Sequence, residues 1–172
     1  MEKDSFNRLS WMTNEMQNEL EKREKIVENE DLKSLYALED DSDFTIALHQ
    51  ILVNRFEKNP NSLNPVELNL FLCMHLENAG QSDSVLSFLQ EWFPEYKKSV
   101  IKSLNEIGAT KSSEIIKKVI ELLPKDGSWF FKSSNENSEK EMNRLDREFS
   151  NSPDGSMRNL YRKYAEKHRD EI

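Results

Sequence analysis

Three histidines, His49, His75 and His168, and one cysteine, Cys73, are the groups through which this chain could perform general-base, nucleophilic or metal chemistry. A zinc site needs three or four convergent ligands, and its sequence signature is two of them at short helical or loop spacing. No His-x-x-x-His, Glu-x-x-His or Cys-x-x-Cys pair occurs here. Cys73 and His75 stand two apart on a predicted helix, where side chains diverge by about 200°. A thiol and a base so placed do not meet. Cys73, inside the apolar run Leu70-Phe71-Leu72-Cys73-Met74, reads as a small buried hydrophobe in a reducing compartment, and His75 as a helix-surface residue.

Other chemistries fare no better. Only 4 glycines are present, too few for the usual phosphate-cradling loops. Glu39-Asp40-Asp41-Ser42-Asp43 lacks the central glycine and distal glutamate of a calcium-binding EF-hand loop. It reads as an exposed loop ending in a helix N-cap, or as part of an acidic patch for a basic partner. Trp92-Phe93 and Trp129-Phe130-Phe131 have almost none of the interleaved Lys and Arg of a base-stacking platform. The second cluster, outside any periodic stripe, is expected to pack in the core or against another subunit. No catalytic residue, cofactor or metal is expected, and the chain reads as a binding protein rather than an enzyme.

The elements that would position these residues are helices. The first is expected from about Ser5 to Asn29, with Phe6, Leu9, Met12 or Thr13, Met16 and Leu20 on one narrow apolar stripe. A short helix follows over Leu32–Leu38. Asp43 is read as the N-cap of a third helix carrying Phe44, Leu48, Leu52 and Phe56 and ending near Pro60. Asn64, Pro65 and Glu67 form the clearest start in the chain, a capping box with proline at the first helical position. That helix is expected to stop at Gly80. Ser82 or Asp83 then opens a helix to Trp92, and Pro94 another to Ile107, with Gly108 as its stop. Thr110 is read as the cap of a helix through Leu123, Ser138 and Glu141 as a capping box, and Ser156 as the start of the last helix. The expectation is an all-α, single compact multi-helix domain of about eight to nine helices with short loops.

Composition agrees. Hydrophobic residues make up 36% and charged residues 33% of the 172, as in amphipathic helices with solvated outer faces. The net charge of −8 disfavours nucleic acid or an anionic membrane as a direct partner. The start, Met1-Glu2-Lys3-Asp4, lacks the pattern of a signal peptide, and no run is long enough to span a bilayer, so the cytoplasm is the expected location. Charge is also segregated. Residues 1–45 hold 13 acidic and 6 basic side chains, leaving a net of only −1 for the remainder. The chain therefore divides into an acidic N-terminal helical segment, residues 1–44, and an all-α domain, residues 45–172.

A resemblance rests on Glu77-Asn78-Ala79-Gly80, on Ile107-Gly108-Ala109 followed by the helix of Ile115, Ile116, Val119 and Ile120, on Leu145-Asp146-Arg147-Glu148-Phe149, and on Tyr161, Tyr164 and His168. Their order and spacing resemble a bacterial family of domains of unknown function that includes a DNA-mimic protein from Neisseria. The family's Asn-Gly-Gly-aromatic element departs here at Ala79 and Gln81. Asn78, Gly80, Gly108 and Ala109 are its structural motif. The resemblance implies a helical homodimer whose carboxylates stand in for DNA phosphates and engage a basic DNA-binding protein. The partner-binding candidates are Glu24, Glu28, Glu30, Asp31, Glu39, Asp40, Asp41 and Asp43, expected to form one contiguous patch. Competing readings are an immunity-type inhibitor of a toxin such as a nuclease, and an enzyme of unrecognised type.

Overall fold

A computed structural model describes residues 11–172. Every regular element among them is helical. They are α1 (Asn14–Glu28), α2 (Leu32–Tyr36), α3 (Asp41–Lys58), α4 (Pro65–Ser82), α5 (Ser99–Glu106), α6 (Thr110–Leu122), α7 (Phe130–Ser133), α8 (Glu136–Ser150) and α9 (Met157–Lys167). A π-helical segment, Ser87–Trp92, and 3-10 turns at Pro94–Tyr96 and Arg169–Glu171 complete the set. The all-α expectation is met, with slightly more elements than foreseen. The chain forms two compact units, Met1–Ile51 and Leu52–Ile172, and the division falls inside α3.

The first unit is thinly packed. Ile26 is the one buried residue of the fifteen in α1, while Leu35, Leu38, Phe44, Ala47, Leu48 and Ile51 are buried along α2 and the first part of α3. Arg23 of α1 donates to Asp43 of α3 at 2.8 Å, and the rings of Tyr36 and Phe44 meet at 5.6 Å. The expected start at Ser5, with Phe6 and Leu9, lies outside the described residues. Thr13 is not a stripe residue; its hydroxyl caps α1 by accepting from the Met16 amide. Nor is Asp43 the cap of α3. Asp40 takes that role, its Oδ1 accepting from the amides of Ser42 and Asp43 at 2.8 and 2.9 Å.

The second unit is organised around α4. This helix is apolar almost all round, with Leu70, Leu72, Cys73 and Leu76 fully buried, as a central helix must be. It packs on α5 and α8, and α6 packs on both of those. Its start is as expected: Asn64 Oδ1 accepts from Val66 and Glu67, and Glu67 accepts in return from the Asn64 amide. The buried Glu67 also pairs with Arg55. α9 is tied in by Tyr161, wholly buried, whose hydroxyl contacts Glu77 Oε2 at 2.8 Å and the Cys73 carbonyl at 3.2 Å.

The two motif glycines do different work. Gly108 has φ +89°, and the amides of Gly108 and Ala109 return to the carbonyls of Asn105 and Leu104. That is a Schellman stop, and Ala109 is fully buried beneath it. Gly80 is not a stop, since α4 continues through Ser82. A Cβ there would lie 3.0 Å from the Phe149 ring, so glycine lets α8 approach without the ring giving way.

Three further helix starts differ from expectation. α8 begins earlier, with Asn135 as cap and Ser138 as the third residue of the box. α6 is not capped by Thr110. Asp154, from the turn before α9, accepts from the amides of Lys111 and Ser112 at 2.9 and 2.7 Å and from the Ser112 hydroxyl. The helix after Asp83 is likewise held from a distance, by Asp146 Oδ1 on the Val85 amide at 2.9 Å.

Candidate functional site

The acidic residues of the first unit follow its helix ends. Glu24 and Glu28 stand one turn apart on the exposed face of α1. The chain then leaves α1 through a Schellman turn, with Glu30 and Asp31 amides returning to the Val27 and Ile26 carbonyls. Glu30 occupies the left-handed position of that turn at φ 48°, where glycine is usual. Asp31 caps α2, accepting from the Ser34 amide at 3.1 Å and its hydroxyl at 2.6 Å, and these bonds hold its carboxyl below the ordinary range. Glu39 and Asp40 are exposed on the connection to α3, and Asp41 and Asp43 are half-buried in its first turn.

Capping spends lone pairs and leaves the charge in place, so Asp31 and Asp40 remain anionic toward solvent. Asp43 is different, because Arg23 neutralises it locally. A groove of about 410 Å³ runs beside this set between α1 and α3, with Glu24 and Glu28 on one rim and Val27, Ile46 and Ala47 as its apolar part.

The groups considered for chemistry are dispersed. Cys73 is fully buried, and desolvation pushes its thiol well up. His75 is not a surface residue. It is half-buried between the rings of Phe71 and Phe93, at 4.1 and 5.1 Å, with Nδ1 3.0 Å from the Phe71 carbonyl. Burial pushes its pKa down. The His168 ring lies tilted against Tyr164 at 4.6 Å and turns Nδ1 to Glu171. His49 belongs to the first unit. Among the described residues no group of three His, Cys, Asp or Glu side chains is placed to hold a metal ion.

A cleft of about 480 Å³ opens between α4, α5 and α9. Three of its polar side chains are engaged with one another: Ser103 donates to Asn69 Oδ1 at 2.8 Å, and Asn69 Nδ2 donates to the Tyr164 hydroxyl at 2.9 Å. It holds neither a nucleophile–base pair nor a carboxylate pair. Phe130 is core, while Phe131 is half-exposed. Gln90 of the π-helical segment fixes that corner by bonding the Ser128 carbonyl and the Phe130 amide.

Asn78 is exposed, and its carbonyl accepts from Ser82. Asp146 and Phe149, three positions apart in one motif, serve as a distant cap and as the ring against Gly80. Sequence reasoning missed Asp146 and Asp154 as caps, because their partners are 61 and 42 or more positions away.

No helix among the described residues is long and apolar enough to cross a membrane. No curated protein and no solved structure matches the chain. The model of the DMP19-like protein family matches residues 61–168, which lie wholly within the second unit. With the match spanning more than half of its length, the chain belongs to the DMP19-like protein family.

Proposed function

We propose that this chain is a non-enzymatic, acidic protein-binding domain that engages a basic DNA-binding protein as a mimic of DNA. The observation that carries the reading is charge segregation: residues 1–45 hold 13 acidic against 6 basic side chains, and the remainder is nearly balanced. The surface of Glu24, Glu28, Glu30, Asp31, Glu39, Asp40, Asp41 and Asp43 is the partner-binding site in this reading. Carboxylates on it attract the same Arg and Lys side chains that grip phosphates. Two features support the role. Five of these residues are exposed, and Glu30 keeps a carboxylate where the backbone favours glycine, a strain that functional sites tolerate.

The test is capture of basic proteins from the source cell's lysate, followed by elution with salt and with duplex DNA. Captured DNA-binding proteins should be released by both, since screening lengths shrink from about 10 Å at 0.1 M to about 3 Å at 1 M salt. Glu24→Lys combined with Glu28→Lys should abolish capture. Partners that added duplex DNA does not displace would sink the mimicry. Mass measured in solution at two protein concentrations tests the homodimer that the resemblance implies.

A further inference from the structure

We propose that the α1/α3 groove receives an apolar side chain from a basic amphipathic helix of the partner, so that recognition is not purely electrostatic. This rests on the acidic-surface reading and adds to it a specific seat. Met16, Leu20 and Val27 fall within about 40° of one another around α1, at 100° per residue. Met16 is 43% exposed, and Ile46, facing the groove from α3, is 45% exposed. An isolated helix of fifteen residues is marginal in water, and Ile26 alone is buried in α1. The stripe that ends at Val27 is therefore apolar surface only partly covered within the first unit, with Leu20 and Val27 half-buried and Met16 exposed.

The rim selects the occupant. Glu24 and Glu28 are exposed beside the groove, and no Lys or Arg among the described residues forms a salt bridge with either. Arg23, on the other side, is already engaged by Asp43. A second copy of this chain would bring the same excess of carboxylates to the contact and be repelled, as would an anionic lipid surface. A helix with Leu or Ile on one face and Lys or Arg beside it satisfies both features at once: its apolar side chain lies over Val27 and Ile46, and its cations meet the two glutamates.

Two synthetic peptides of equal length and equal positive charge test this by titration at 0.15 M salt. One is an amphipathic Leu/Lys helix; in the other every Leu is replaced by Ser. The Leu/Lys peptide should bind about tenfold more tightly, the gain expected from seating an apolar side chain. Ile46→Asp should remove that preference while leaving the Ser/Lys peptide unaffected, and Ile46→Ala reports the same loss if the aspartate variant does not fold. Glu24→Lys with Glu28→Lys should weaken both peptides. Equal affinities for the two peptides, or an unchanged preference in the Ile46 variants, overturn the groove and leave the acidic surface standing. Failure of both peptides to bind the unaltered chain overturns the acidic-surface reading as well.

Discussion

The two units differ in how they use some of their carboxylates. In the second, four acidic side chains are turned into the structure: Glu67 closes the α4 capping box and pairs with Arg55, Glu77 takes the Tyr161 hydroxyl, and Asp146 and Asp154 cap helices that lie far away in sequence. In the first, Asp31 and Asp40 cap the helices that directly follow them, Glu24 and Glu28 face solvent, and Asp43 pairs with Arg23. The carboxylates that fasten distant segments are thus mostly in the second unit, while the acidic excess lies in the first. The family match covers the fastened unit, and the charge excess sits in the unfastened one.

Four measurements would break or sharpen this contrast. The largest effect is expected from core truncation. Leu145→Ala, at a fully buried position, should cost about 2–5 kcal/mol in denaturant unfolding. Leu20→Ala, at a half-buried position of α1, should cost about 1 kcal/mol or less. Similar losses at both sites would show that the first unit is as tightly built as the second.

The caps give a second comparison. Asp154→Ala leaves two helix amides and the buried Ser112 hydroxyl without their acceptor and should cost about 1–3 kcal/mol. Asp40→Ala removes only a local cap and should cost about 1 kcal/mol. Hydrogen exchange should speed up at Lys111 and Ser112 in the first variant; protection that is unchanged would deny the distant cap its role.

Glu30→Gly is expected to act in the reverse direction. Relief of the left-handed backbone should stabilise the chain by about 1 kcal/mol, while capture of basic partners weakens. A destabilised variant would mean that the Glu30 side chain holds the turn together.

The smallest effect is the pH response of His75. Burial lowers its folded pKa below the ordinary 6.5, so the unfolded chain takes up a proton first as pH falls. Stability is full above that value and declines as pH drops below it toward the folded pKa. His75→Phe should lose this part of the decline between about pH 7 and 5. Glu77, whose folded pKa is raised chiefly by burial, contributes with opposite sign, which makes the difference between wild type and variant the quantity to read.

Local features were legible in advance. Asn64, Pro65 and Glu67 announced α4, Gly108 announced the end of α5, and Ser156 the start of α9, because each acts on backbone groups within a turn of itself. The misreadings share one cause. Asp43 and Thr110 looked like caps because their residue types suit that role, but Asp40 stood nearer the amides of one helix and Asp154 arrived from a distant turn at the other. Gly80 looked like a stop because glycine often is one, whereas its neighbour Phe149 lies 69 positions on and cannot be inferred from local pattern.

For the candidate site the balance is similar. The position of the charge at the N-terminal end, the lack of a metal or nucleophile signature at short spacing and the helical elements all follow from residue type and local periodicity. Tertiary structure alone decided which carboxylates are spent inside the fold and which face water, that His75 sits among aromatic rings, and that Val27 and Ile46 share one groove. Those outcomes depend on which surfaces meet across long stretches of chain, and the helical period carries no information about that.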